Sequence, residues 1–184
     1  ISVVVMVSMV LEFLSPRTGI VNIFLEALGM ERINFMGIPE YFKSIYVWSG
    51  VWQGTGYGAI IYLAALAGID PTLHEAAIVD GATKVQRIWY IDIPGILPTI
   101  VILLIMNTGH ILNTGFEKIL LMQNPLNMRT SQVIDTYVYQ IGFASQIVDY
   151  SYPTAVGLFK SVVNLSLLVT VNRIAKKLTE SSLW

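Results

Sequence analysis

Four stretches of the chain are apolar enough to lie in a bilayer: residues 1–14, 45–67, 96–113 and 154–172. The second carries no charged side chain and reaches the roughly 20 residues that a helix needs to cross a membrane. Tyr46, Trp48 and Trp52 cluster near its start, as expected where a helix passes the headgroup layer. The competing reading, buried helices of a large soluble protein, leaves four such helices with hardly any solvated face to share. The first stretch is shorter than a span. No Met and no basic segment precede it, and no small-residue cleavage site follows it, so a signal peptide fits poorly. The chain is therefore expected to be the C-terminal part of a longer protein, entered midway through a helix.

Polar connections separate these stretches. Residues 15–43 read as a loop punctuated by Pro and Gly, with Ser15-Pro16 ending the first helix and Gly37-Ile38-Pro39 preceding the second. Residues 68–92 form the most charged connection, holding Asp70, Glu75, Asp80, Lys84, Arg87 and Asp92. Within 114–153, Val133, Ile134, Tyr137, Val138 and Ile141 recur on one helical face and Gly142 supplies a stop. That helix lies on the membrane surface or caps the bundle; spacing does not choose.

Composition sharpens the membrane reading. The 184 residues are 54% hydrophobic and 12% charged, with mean hydropathy +0.64, whereas soluble domains run to about a quarter charged. With no cysteine there is no disulfide framework and no thiolate metal site. A net charge of −1 gives no basic field for nucleic acid. Lys and Arg divide evenly between the two sets of connections. Only the density of Arg173, Lys176 and Lys177 after the last stretch favours a cytoplasmic tail, and with it a cytoplasmic 68–92 loop. Those three residues fit anchorage to anionic lipid.

The 68–92 loop has a definite local logic. Asp70 caps a helix, and Pro71 suits its first position, where a missing N–H loses nothing. Glu75, Ala76 and Ala77 are strong helix formers, Gly81 frees the backbone to turn, and Thr83 caps a second short helix through Tyr90. Pro94 and Pro98 mark re-entry into the membrane. The alanines leave the backbone open to close approach.

Glu75-Ala76-Ala77, Gly81, Ile91 and Ile93-Pro94 stand in the register of the cytoplasmic loop signature of permeases of binding-protein-dependent ABC importers, which the chain resembles. The family prefers Leu where Ile93 stands. Tyr46 to Gln53, Ile69-Asp70-Pro71, Phe116-Glu117-Lys118 and Ser182-Leu183-Trp184 are similar to the oligosaccharide and polysaccharide group. The resemblance implies an all-α polytopic helix bundle in the bacterial inner membrane. The partners it implies are a second permease, two ATPase subunits and an extracytoplasmic solute-binding protein. Glu75, Ala76, Ala77, Asp80 and Gly81 would then meet the ATPase, which alone would hold ATP and Mg; this chain would bind no cofactor and carry no catalytic residue.

Other patterns weigh less. His74-Glu75 begins a zinc-protease motif, but position 78 is Ile, and no phosphate-binding glycine loop occurs. Gly54-Thr55-Gly56-Tyr57-Gly58 lies in an apolar stretch with no strand before it, which points to helix packing or local unwinding. Asn107, His110, Thr114 and Glu117 fall at i, i+3, i+7 and i+10, which places them on one helical face if the third helix continues. That face reads as a sugar pathway, with Trp48, Trp52 and Tyr57 as stacking surfaces, or as interhelical hydrogen bonding. Glu117 and Lys118 are expected in the headgroup zone, and Lys160 to snorkel or to join a buried ion pair. A permease for peptides, amino acids or an anion, an intramembrane enzyme, and a channel are the rivals. The first lacks an Arg cluster for an anion, the second a nucleophile–base pair, and the third any use for the Glu-Ala-Ala loop.

Overall fold

The computed structural model describes residues 2–144 and 150–179, and the structural statements below concern these. Ile1 and the Ser182-Leu183-Trp184 motif lie outside the described residues. The elements are α1 (Val3–Phe13), α2 (Ile20–Ala27), α3 (Pro39–Ala67), α4 (Pro71–Val79), α5 (Lys84–Arg87), α6 (Ile93–Thr108), α7 (Phe116–Met122), α8 (Met128–Ser131), α9 (Ile134–Gly142) and α10 (Ser151–Thr179). A 3₁₀ turn covers Phe35–Gly37 and a π-helical turn Ile88–Asp92. The described residues are helical wherever they are regular, as expected of an all-α bundle.

Two helices are long and apolar enough to cross a membrane by themselves: the continuous run Lys84–Thr108, mean hydropathy 2.1, and Ser151–Lys177, mean hydropathy 1.7. Helix α3 has the length, but its glycines and Gln53 dilute its hydropathy; with α4 it qualifies as a pair bent by 69°. Helix α1 is shorter than a span. The second short helix expected to end at Tyr90 does not end. It runs through the π turn into α6, and the reason is local. Pro94 has no N–H for the Tyr90 carbonyl and its ring crowds that oxygen, so the ladder widens and the Ile93 N–H reaches the Ile88 carbonyl instead.

The chain divides into two units, residues 1–54 with 113–158, and residues 55–112 with 159–184. In the first, Met6, Val7 and Val10 of α1, Phe42 of α3, and Ile119 and Met122 of α7 form one buried cluster. In lipid such a cluster gains little from excluding solvent, so close packing and polar pairing must hold it. Two buried asparagines supply the pairing. Asn22 donates to the carbonyls of Leu14, Ser15 and Ile33 at 3.3, 3.1 and 3.0 Å and accepts from the Ile33 N–H at 2.7 Å. Asn127 donates to the Met36 and Met122 carbonyls at 3.1 and 3.2 Å and accepts from the Asn124 N–H and the Ser131 hydroxyl, both at 3.0 Å. Segments expected to be plain loop are thereby tied down.

Three expectations need correction, two in this unit and one in the second. Residues 20–27, read as loop, form α2, which turns Asn22 inward and leaves Ile20, Ile23 and Phe24 exposed. Helix α9 buries Thr136 and Gly142, whereas Ile134 and Tyr137 of the expected apolar face are exposed. Thr136 can turn inward because its hydroxyl pairs with the Val133 backbone at 3.1 and 3.0 Å. Lys118 is buried at 7% exposure, its Nζ donating to the Tyr46 carbonyl at 2.8 Å and sitting 4.5 Å from the Tyr46 ring centre. Burial pushes its ammonium below the ordinary lysine value. In the second unit Lys160 is buried and has a partner, so it does not snorkel. There α6 and α10 pack through Gly109, where an added Cβ would stand 2.8 Å from Leu168 Cδ1.

Candidate functional site

The 68–92 loop folds as its residues dictate. The Asp70 carboxylate accepts the Thr72 N–H at 2.9 Å and caps α4, with Pro71 at the first helical position. That hydrogen bond holds the Asp70 carboxyl below its usual range. At the other end Gly81 has φ +77°. Its N–H reaches the Ile78 carbonyl at 3.0 Å and the Ala82 N–H reaches the Ala77 carbonyl at 2.9 Å, the paired bonds of a Schellman stop. The chain turns at once into a capping box: the Thr83 N–H donates to Gln86 Oε1 at 2.7 Å, and the Gln86 N–H to Thr83 Oγ1 at 3.3 Å. Two helix ends therefore share a corner in which the N–H groups of Asp80, Gly81, Ala82 and Thr83 each have a partner. The corner is stiff.

What this corner presents is unpaired. Among the described residues Glu75 makes no hydrogen bond or ion pair, and it is exposed along with Ala76, Leu73, Ile78 and Val79; Asp80 at the C-cap is exposed too. The capped helix thus presents a carboxylate rimmed by bare apolar surface. One bond braces α4 from behind, His74 Nε2 to Asp92 Oδ1 at 3.2 Å, so His74 is a partner of the π turn.

The candidate pathway residues are not assembled on one helix. Helix α6 ends at Thr108, Gly109 caps it, and α7 starts afresh at Phe116 after Gly115 at φ +68°. Asn107, His110, Thr114 and Glu117 therefore do not share a helical face, although all four are exposed. Asn107 and His110 stay adjacent through the His110 N–H and the Asn107 carbonyl at 3.1 Å. The Thr114 carbonyl instead receives the Tyr46 hydroxyl at 2.6 Å. Trp48 and Trp52 do come together, in a groove of about 360 Å³ with Val10, Phe13, Leu14 and Ile45. Its polarity is slight, since the Ser49 hydroxyl turns back to the Ile45 and Tyr46 carbonyls at 2.6 and 3.1 Å. Tyr57 stands 84% exposed, on a helix that runs unbroken through Gly54, Gly56 and Gly58 with open space over all three. That stretch is therefore neither unwound nor packed within this chain. Sequence reasoning missed the Tyr46–Lys118 contact; a lysine beside an apolar run was the one available signal.

Comparison with known proteins places this geometry. Protein LplB of Bacillus subtilis (strain 168) is 42% identical over the whole of this chain and 57% of its own length. The polygalacturonan/rhamnogalacturonan transport system permease protein YteP of the same organism is 39% identical over 98% of this chain and 56% of its own length. A chain in the crystal structure of a bacterial alginate ABC transporter, in complex with alginate pentasaccharide-bound periplasmic protein, superposes with a TM-score of 0.93 at 42% identity. That match covers 100% of this chain and 63% of the other. The chain thus spans a little over half the length of the curated relatives it matches. Residues 1–180 match the family described as binding-protein-dependent transport system inner membrane component, and the chain belongs to that family.

Proposed function

We propose that this chain is the permease part of an ATP-driven importer for oligosaccharides or polysaccharide fragments, with α4 as the element that engages the ATPase. The carrying observation is the braced α4 corner, with Glu75 unpaired between Leu73 and Ile78. Glu75 would meet a cation or hydrogen-bond donor in a groove on the ATPase, and Ala76 and Ala77 would allow close approach. Asp80 and Gly81 would hold the turn. Closure of two ATPase subunits on ATP and Mg would move this helix and its counterpart on a second permease together, exchanging inward-open and outward-open states as a rigid-body step. The chain itself would perform no covalent chemistry. A solute-binding protein would deliver the substrate from the outer side. The carbohydrate class is supported by the names of relatives, one a polygalacturonan/rhamnogalacturonan permease and one an alginate transporter. Of the candidate pathway residues, exposed Tyr57, Asn107 and His110 have the stacking and hydrogen-bonding chemistry a sugar requires. The Trp48–Trp52 groove suits an apolar body instead.

The test is Glu75→Lys in the assembled complex. Removing one partner of a desolvated charge pair costs 2–5 kcal/mol, so ATPase docking should weaken roughly thirtyfold or more, with membrane insertion retained. Uptake and substrate-stimulated ATP hydrolysis would fall together. Unchanged stimulated hydrolysis in a correctly inserted variant overturns the assignment.

A further inference from the structure

Behind α4 lies a second polar feature that coupling does not use. His74, Lys84, Arg87, Ile88 and Asp92 line a cleft of about 240 Å³. Lys84 and Arg87 stand at i and i+3, on one side of the helix start. Among the described residues neither has an acidic partner, and Arg87 Nε is shut off from solvent without a hydrogen bond. Asp92 offers the cleft's one carboxylate, and it is engaged by His74 at 3.2 Å. The cleft is thus short of negative charge: its two cations face one carboxylate that is already engaged.

The surroundings identify the kind of anion. Val85, Ile88, Trp89 and Tyr90 are 63, 47, 64 and 79% exposed on the same two turns. Bare apolar side chains, Trp and Tyr mixed with cations are what a helix shows at the membrane–water boundary. Length agrees: the 25 residues from Lys84 to Thr108 make a rod of roughly 37 Å, against about 30 Å of hydrocarbon. The surplus of some five residues is enough to carry Lys84 and Arg87 beyond the hydrocarbon, to headgroup depth. We propose that Lys84 and Arg87 bind the phosphodiester headgroup of an anionic glycerophospholipid, with Trp89 and Tyr90 against its glycerol and upper acyl chains. The inner-leaflet placement rests on the cytoplasmic orientation adopted under the proposed function, since anionic lipid is enriched there.

The test uses the intact, delipidated complex and three probes: dioctanoyl phosphatidylglycerol, dioctanoyl phosphatidylcholine and inorganic phosphate. Each surface cation contributes about a five- to sixfold factor toward anionic lipid, so K84Q/R87Q should bind phosphatidylglycerol roughly thirtyfold more weakly. K84R/R87K keeps both charges and should restore most of the binding, which separates lost charge from lost folding. Equal binding of phosphatidylcholine overturns the proposal, as does displacement of the lipid by phosphate at equal concentration, which makes this a free-anion site. An equal loss in K176Q/K177Q would reduce the effect to general surface charge and overturn it too. Loss of the ATPase subunits from K84Q/R87Q with lipid binding intact would assign the two cations to the ATPase instead. Failure of the wild-type permease to hold an ATPase at all would sink the importer reading, while lipid binding could still be read on the permease alone.

Discussion

The asparagine clamps of the first unit and the α4 corner of the second solve opposite problems with the same chemistry. Asn22 and Asn127 are wholly buried, and both ends of each amide have partners within the chain. At α4 both helix ends are capped, but the side chains are not engaged: Glu75 is unpaired and Leu73, Ile78 and Val79 are bare. A region closed on itself holds shape. A region with a rigid frame and unengaged side chains is free to meet another molecule, which is the role proposed for α4.

The contrast can be broken at either end. The largest effect expected on stability is Asn127→Ala, which strands the Asn124 N–H and the Ser131 hydroxyl in a buried site. Each buried group left unsatisfied costs about 1–3 kcal/mol, so the variant should unfold at clearly lower temperature in detergent, as followed by near-ultraviolet dichroism. An unchanged midpoint would mean that the clamp holds nothing. Next is Gly81→Ala, which forces a Cβ onto a left-handed residue at about 1–2 kcal/mol. It should leave the midpoint almost untouched and accelerate amide exchange at Ala82 and Thr83 roughly tenfold, because only the local corner opens. Exchange as slow as in the unaltered chain would show the turn to be indifferent to its glycine.

The smallest effect is on pH. The folded-state pKa of Asp70 lies below the ordinary 3.8, so its cap is fully present above that value and fades as pH falls through the folded one. Exchange protection of Thr72 and Leu73, corrected for intrinsic rates, should therefore drop only in strong acid. Asp70→Ala should show low protection throughout and no step. A step that survives in that variant would assign the acid sensitivity to another group.

The corner was legible in the sequence because its determinants are local: Asp70-Pro71, Gly81 and Thr83 each act within four residues. The clamps were not, since Asn127 reaches Met36 and Asn22 reaches Ile33 only once the chain has folded back. The expected polar face from Asn107 to Glu117 failed for a related reason. Periodicity counts phase but is blind to a break, and Gly109 with Asn113-Thr114-Gly115 supplied the break. Helix α2 was hidden by its flanks, where Pro16, Gly19 and Gly29 read as loop although Ile20, Ile23 and Phe24 repeat at helical spacing. The membrane character survived these errors because it depends on bulk hydropathy, to which each residue adds little.

The wide turn at Ile88–Asp92 bears on how such chains tolerate insertions and deletions. It accommodates one residue more than an ordinary helical turn, so whatever follows keeps the angular position it would have in a shorter, unbroken rod. A cousin lacking both this proline and one residue before it could tighten the turn and still point Val101 and Ile105 inward. The proline that spoils the ladder thus leaves a place where length can drift without twisting the rest of the helix out of alignment.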